Sequence, residues 1–262
     1  MYHDYGLTCI CVAVCTPHAQ LFVMSPLDFV ERPYIWVASM AKFRVTSTAA
    51  PVFGYDLVAR KWSQCPSSLL ELMGPFALSS LAHCSISAEP IKLSTLQLFA
   101  HTFAPYGFKR WFLKPTYGLA ESVCWVGQYM YPEDPTGHDV VRARKDPNRV
   151  AVGGPFFSGS DLAVVDPETG RLAADGVDGE ICVRSRAITS GYWDRPDLND
   201  SLHVTPRDAK DVPIPGGPFL RTGDGGFMES GYLFINSRLK DVMIIRVRDY
   251  SLLQSKAALS TS

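Results

Sequence analysis

The chain has no excess of charge of either sign and no charged tail. Its 25 Lys and Arg against 26 Asp and Glu leave a formal net charge of -1, and the two signs are mixed along the sequence. A general nucleic-acid surface needs a basic excess, so no nucleic-acid partner is expected. Long apolar runs are missing as well. The most apolar early stretch, residues 7–14, is too short to span a bilayer. His3 and Asp4 stand ahead of it, where a secretory signal carries basic residues. No transmembrane segment and a cytoplasmic location are therefore expected. Internal repeats and low-complexity segments are also lacking. Cysteine is present without a framework: seven residues, an odd number with no repeated spacing, suit reduced thiols in a reducing compartment. Cys9, Cys11, Cys15 and His18 lack the paired Cys-x-x-Cys of a zinc site and alternate with Ile10, Val12 and Val14, so they read as plain buried thiols.

What remains is globular composition. Hydrophobic residues at 47% and charged residues at 19% exclude a disordered chain and allow a real core. The first part reads as α/β material. An apolar stretch reaches Met24 and breaks at Ser25-Pro26. Ile35, Met40 and Phe43 then recur at loosely helical spacing. A clearer helix is expected from Ser94, with Ser94 and Gln97 as a capping box and Leu93 and Leu98 as a staple. Leu96, Phe99 and Phe103 share one face, and residues 105–107 end it. From about Val150 the texture turns to β. Residues 161–165 and 180–184 read as strands, with a turn at 166–170 after the first, and 232–235 and 242–247 as two more. Residues 132–148 read as a charged surface loop.

Four short segments have unusual composition for scaffolding. Thr116, Tyr117, Gly118, Leu119, Ala120 and Glu121 combine an aromatic for stacking, a glycine for close backbone approach and a carboxylate for a metal. Arg221-Thr222-Gly223-Asp224 reads as a tight turn presenting a carboxylate that suits a vicinal diol. Ser237, Arg238, Leu239, Lys240 and Asp241 cluster a fork donor, a cation and an acid between strands. Ser87, Ala88, Glu89 and Pro90 join a strand to the capped helix. Taken singly, each has a plainer reading: a half-buried Tyr117, solvated acids at Glu121 and Asp224, and surface charges of little energetic weight.

Their order resembles the core motifs of the superfamily of adenylate-forming enzymes, the AMP-dependent synthetases and ligases. The resemblance begins at Tyr2-His3-Asp4-Tyr5-Gly6-Leu7, then passes through Met24-Ser25-Pro26 with Phe29 and the segment from Ala50 to Leu57. It continues through Ser87 to Pro90, Thr116 to Glu121, Gly179 to Arg184 and Gly191-Tyr192-Trp193. It ends with Phe219 to Asp224 and Arg238 to Asp241, covering about residues 1–250. The Ala-Pro-x-Phe-x-Tyr-Asp-Leu segment and Arg-Leu-Lys-Asp followed by Ile-Ile-Arg are most similar to the fatty-acyl-AMP ligases.

The resemblance implies an α/β fold, part of the large N-terminal domain of such an enzyme. Residues 1–149 would form a partial α/β subdomain and 150–241 a β-rich subdomain with the ribose motif. Residues 242–262 would start the hinge and then match nothing. It implies ATP-dependent activation of a carboxylic acid, of the fatty class, to an acyl-adenylate, with ATP and Mg²⁺ as cofactors. The thiol acceptor would be an acyl carrier protein or CoA. An acyl-CoA synthetase and a non-catalytic nucleotide-binding remnant or interaction protein are the alternative readings. Tyr117 and Gly118 would face the adenine, with Ser87, Ala88, Glu89 and Pro90 on its other side. Glu121 would be the catalytic residue and Mg²⁺ ligand, Asp224 would accept from the ribose hydroxyls, and Arg238 would reach the ribose or phosphate. His3, Phe53 and Tyr55 would shape the acyl pocket, and Asp241 would be the hinge. The family's phosphate loop should lie upstream of His3, and its catalytic lysine in a lid domain after Asp241. Neither is recognisable in these 262 residues, so an internal fragment inactive alone is expected. Ser237 stands where the family usually has glycine, Gly225 where it has an apolar residue, and Val247 again where it has glycine.

Overall fold

The computed structural model describes residues 3–71, 73, 77–129, 140–154, 160–239, 242–245 and 248–251. The chain divides into two compact units, Met1–Gly153 and Gly154–Ser262.

The first unit opens with helices α1 (Asp4–Cys15), α2 (Pro26–Glu31) and α3 (Tyr34–Lys42). Strand β1 (Ser47–Pro51) runs directly into α4 (Val52–Lys61), and the short α5 (Ser67–Leu70) follows. Then come β2 (His83–Ser87), α6 (Leu93–Phe103), β3 (Leu113–Tyr117) and β4 (Gly127–Gln128). The sheet order is β1-β2-β3-β4. β1, β2 and β3 are parallel, and β4 turns back antiparallel on β3. Parallel neighbours need crossovers, which α4 and α6 supply. Both helices press aromatic side chains into one cluster. The Tyr55 and Phe99 rings meet edge-on at 4.9 Å, Trp36 meets Tyr55 at 5.2 Å, and Trp62 meets Phe103 at 4.7 Å. Each such pair adds about 1 kcal/mol beyond its buried area.

Leu96, Phe99 and Phe103 are buried on the expected face of α6, and Gly107 at φ 83° closes the turn after it. The helix start differs from expectation. α6 begins at Leu93, Lys92 makes no side-chain cap, and Ser94 is exposed. The first amide donors are satisfied from a distance: Leu93 N–H donates to Asn148 O at 2.9 Å and Ser94 N–H to Asn148 Oδ1 at 3.2 Å. A tertiary acceptor therefore replaces the local capping box. Ser25-Pro26, read as a break, starts α2: Ser25 accepts from Leu27 N–H with Pro26 at the first position. Residues 7–14 are helical, so the alternation of thiols with apolar residues does not bury them. Cys11 and Cys15 lie four apart on an exposed face and Cys9 is half-buried. All seven cysteines are free.

The second unit is an antiparallel sheet in the order β5-β6-β8-β7, with β9 pairing β8. Its elements are β5 (Ser160–Val165), β6 (Gly179–Ser185), α7 (Pro196–Asn199), β7 (His203–Val204), β8 (Phe219–Glu229) and β9 (Tyr232–Arg238). β10 (Val242–Ile245) and β11 (Arg248–Ser251) make a separate hairpin. After β5 the chain turns as expected. Asp166 Oδ1 accepts from Thr169 N–H at 2.7 Å and Glu168 N–H at 3.0 Å, and Gly170 sits at φ +70°. Ala163, Val165, Cys182 and Phe219 form a core cluster in this sheet.

Buried thiols give both units an alkaline liability. Burial pushes Cys182 up to about 12, with Glu180 adding to the shift and Arg221 opposing it. Burial likewise raises Cys84 and Tyr55. Each holds its proton more tightly when folded; for Cys182 the contribution is full below the unfolded thiol value of 9.0 and is lost as pH rises toward about 12. The urea midpoint is expected to fall between about pH 9 and about pH 11. A Cys182→Ala variant should show a shallower fall, and equal slopes in the two proteins would contradict this account.

Candidate functional site

Because β1, β2 and β3 are parallel, their C-terminal ends lie on one sheet edge, the edge that open α/β sheets use for ligands. Pro51 pairs with Ser87, and Ile86 with Pro115. Three of the expected segments therefore meet there. Phe53, in the first turn of α4, is 49% exposed. Ser87 ends β2, and Ala88 follows at φ 70°, a strained conformation for a residue other than glycine. Glu89 is exposed at one side. Desolvation of the rest pushes its carboxyl above the usual range, opposed by a hydrogen bond from the Phe53 backbone N–H. That bond ties the loop after β2 to the start of α4. Pro90 is half-buried beside it.

Tyr117 ends β3 and is 7% exposed, more buried than its sequence setting indicates. A short 3-10 turn (Ala120–Ser122) then carries the half-buried Glu121. Gly118 is required by sterics: a Cβ there would lie 1.4 Å from Cys124 O. The chain doubles back through Val123 at φ 55° and Cys124 at φ 76°, two consecutive strained residues next to the acid. Beneath this edge a ladder of polar side chains crosses the sheet. His83 Nε2 meets Gln128 Oε1 at 3.0 Å, Gln128 Nε2 donates to Thr116 Oγ1 at 2.8 Å, and Ser85 Oγ donates to Thr116 Oγ1 at 2.9 Å. Such a connected network fixes the end of β3.

The acyl-pocket expectations divide. His3 is exposed and paired with Asp4. Tyr55 is fully buried, and its hydroxyl donates to Ser85 O at 2.9 Å, so it belongs to the aromatic core and its polar atom is already used. Near the site, the buried Trp125 Nε1 has no acceptor among the described residues. Its ring meets Tyr5 of α1 edge-on at 6.2 Å.

In the second unit, residues 221–224 are not a turn as expected. They lie within the eleven-residue β8, where Gly223 at φ +72° makes a bulge. Asp224 pairs in register with Arg238 on β9, and Arg238 Nε lies 3.6 Å from Asp224 Oδ1. The acid is 16% exposed and the arginine 75%. Sequence reasoning missed Glu180. It is buried, and it accepts from Arg221 Nε at 2.8 Å and from Gly223 N–H at 3.2 Å. Asp241 lies outside the described residues. Among the described residues, no three His, Cys, Asp or Glu side chains gather to hold a metal ion. No described helix is long and apolar enough to cross a membrane.

Residues 1–193 match the family model described as AMP-binding enzyme. The chain belongs to this family. Among the relatives of this chain, the medium-chain-fatty-acid–[acyl-carrier-protein] ligase JamA of Moorena producens is 32% identical over 265 residues, covering 95% of this chain and 43% of JamA. The 4-hydroxyphenylalkanoate adenylyltransferase of Mycobacterium marinum is 32% identical over 260 residues, covering 93% of this chain and 40% of that protein. A solved structure from work on the fatty acyl-adenylate ligases of E. coli and L. pneumophila superposes on all of this chain and 46% of its own. Its TM-score is 0.74 at 27% identity. The chain thus spans less than half the length of the relatives it matches, and its mixed α/β fold is that of the N-terminal adenylation domain of adenylate-forming enzymes.

Proposed function

We propose that this chain carries the nucleotide-binding face of a ligase that activates a fatty acid with ATP to an acyl-adenylate. The observation that supports it most is the gathering of residues 87–90, Tyr117 and Glu121 at the carboxyl edge of the parallel sheet. Tyr117 and Gly118 border the adenine, Ser87, Ala88, Glu89 and Pro90 line its other side, and Phe53 and His3 border the acyl group. Asp224 accepts from the ribose hydroxyls, with Arg238 on the ribose or phosphate, and Asp241 serves as the hinge. The thiol acceptor is an acyl carrier protein or CoA, and the enzyme works in the cytoplasm.

Magnesium fits the donor set. This ion takes one or two carboxylates and completes its octahedron with phosphate oxygens and water, so a single half-buried Glu121 suffices when nucleotide is bound. The ion supplies charge neutralisation on the phosphates. Glu121 holds it beside Tyr117, and the buried floor under β3 keeps that carboxylate's turn in place.

Binding of Mg²⁺-ATP to the folded chain is expected to weaken about tenfold in a Glu121→Ala variant, with loss of the magnesium dependence. Binding that is indifferent to this change would count against the assignment. Fatty-acid-dependent ATP–pyrophosphate exchange by these 262 residues alone is expected at background. Removing one preorganised donor to a developing charge costs about 3 kcal/mol, and a whole phosphate loop and a lysine are unrecognised here. Exchange at ordinary rates would overturn that expectation.

A further inference from the structure

The bulge in β8 leaves backbone donors without ladder partners. Arg221 pairs with Cys182 and Gly225 with Glu180, so Thr222, Gly223 and Asp224 all stand against Ile181. An antiparallel ladder has no acceptors for that surplus, and buried N–H groups must find partners elsewhere. Side chains provide them. Glu180 Oε1 accepts from Gly223 N–H at 3.2 Å, and Thr222 Oγ1 accepts from Asp224 N–H at 3.1 Å. Thr222 Oγ1 also donates to Ile181 O at 2.7 Å, which ties the bulge to β6. Glu180 is itself clamped by Arg221, through Nε to Oε2 at 2.8 Å and Nη2 to Oε2 at 2.6 Å. Arg221 Nη2 in turn donates to Pro167 O at 2.7 Å. The only strained residue of the bulge is Gly223, whose missing side chain makes φ +72° inexpensive.

We infer that Glu180 and Thr222 are positioning residues that set the backbone at Asp224, so that its carboxylate meets the vicinal diol of a ribose. This rests on the reading of Asp224 as the ribose acceptor and extends it to two residues that do not touch the nucleotide. Neither side chain has a free role in the core. Glu180 is 6% exposed, and its two oxygens are committed to Arg221 and Gly223. A plain strand pair would need neither. Asp224, the last residue of the bulge, stands opposite Arg238 on β9, and a carboxylate must be held still to accept from two adjacent hydroxyls at once.

The test compares the affinity of the chain for AMP and for 2′,3′-dideoxy-AMP, which lacks the diol. The wild-type chain is expected to prefer AMP by about 100-fold. In Glu180→Gln and in Thr222→Val the preference should collapse toward unity while the dideoxy nucleotide binds as before. Thr222→Ser, which restores the hydroxyl, should recover it. If both nucleotides weaken equally in the two variants, the residues only support the fold and the inference fails. It fails also if the preference is unchanged. Should Glu180→Gln not fold, by circular dichroism, the Thr222 pair decides the question alone. Failure of the folded wild-type chain to bind AMP at all, or equal binding of both nucleotides by it, overturns the ribose reading itself.

Discussion

A Gly118→Ala variant is expected to be the most destabilised single substitution in the first unit. The added carbon would stand 1.4 Å from Cys124 O, closer than any non-bonded contact, and 2.5 Å from the carbonyl carbon. The obstacle is main chain, so no side chain can rotate away. Cys124 is itself held in the left-handed region, with its N–H on Leu119 O at 3.0 Å. Relief requires opening the turn that carries Glu121. Forcing an atom into a packed site costs about 1–3 kcal/mol when neighbours yield, and here they do not, so a loss of about 4 kcal/mol is expected. Urea unfolding followed by fluorescence of Trp125 and its neighbours checks it. A midpoint equal to wild type would show that Gly118 is free to carry a side chain.

An Asp224→Ala variant is expected to do the opposite, sparing stability and removing nucleotide binding. The ion pair with Arg238 is long at 3.6 Å and open to water on the arginine side, and such pairs contribute about 0–1 kcal/mol. Two ribose hydroxyls donating to a carboxylate are worth about 1.5 kcal/mol each, so AMP affinity should fall about 100-fold. Calorimetric titration with AMP, alongside a melting curve, separates the two effects. A large drop in melting temperature with affinity retained would reverse the assignment, making Asp224 a structural acid.

Where the local signal and the tertiary partner agree, the sequence was readable. The apolar face of α6 and the Asp166 turn after β5 depend on residues a few positions apart. Where the deciding partner is distant, the reading went astray. The Ser94 capping box gave way to Asn148, 54 positions on. Residues 221–224 have turn composition, but their bulge depends on Glu180, 43 positions before Gly223. Tyr55 is buried with its hydroxyl on Ser85 O, 30 positions on, a partner no local pattern names. At Gly118 the missing side chain also makes room for the Cys124 backbone, six positions on, which composition does not show. The order of the motifs identified the family; single residue types did not separate binding from packing.

The most direct measurement is photolabelling of the folded chain with 8-azido-ATP, with the modified peptides mapped by mass spectrometry. The account predicts label on residues 87–90 or 117–121, the two segments at the carboxyl edge of the parallel sheet, and its suppression by excess AMP. Label confined to other segments, or undiminished by AMP, would contradict an adenine site on that edge.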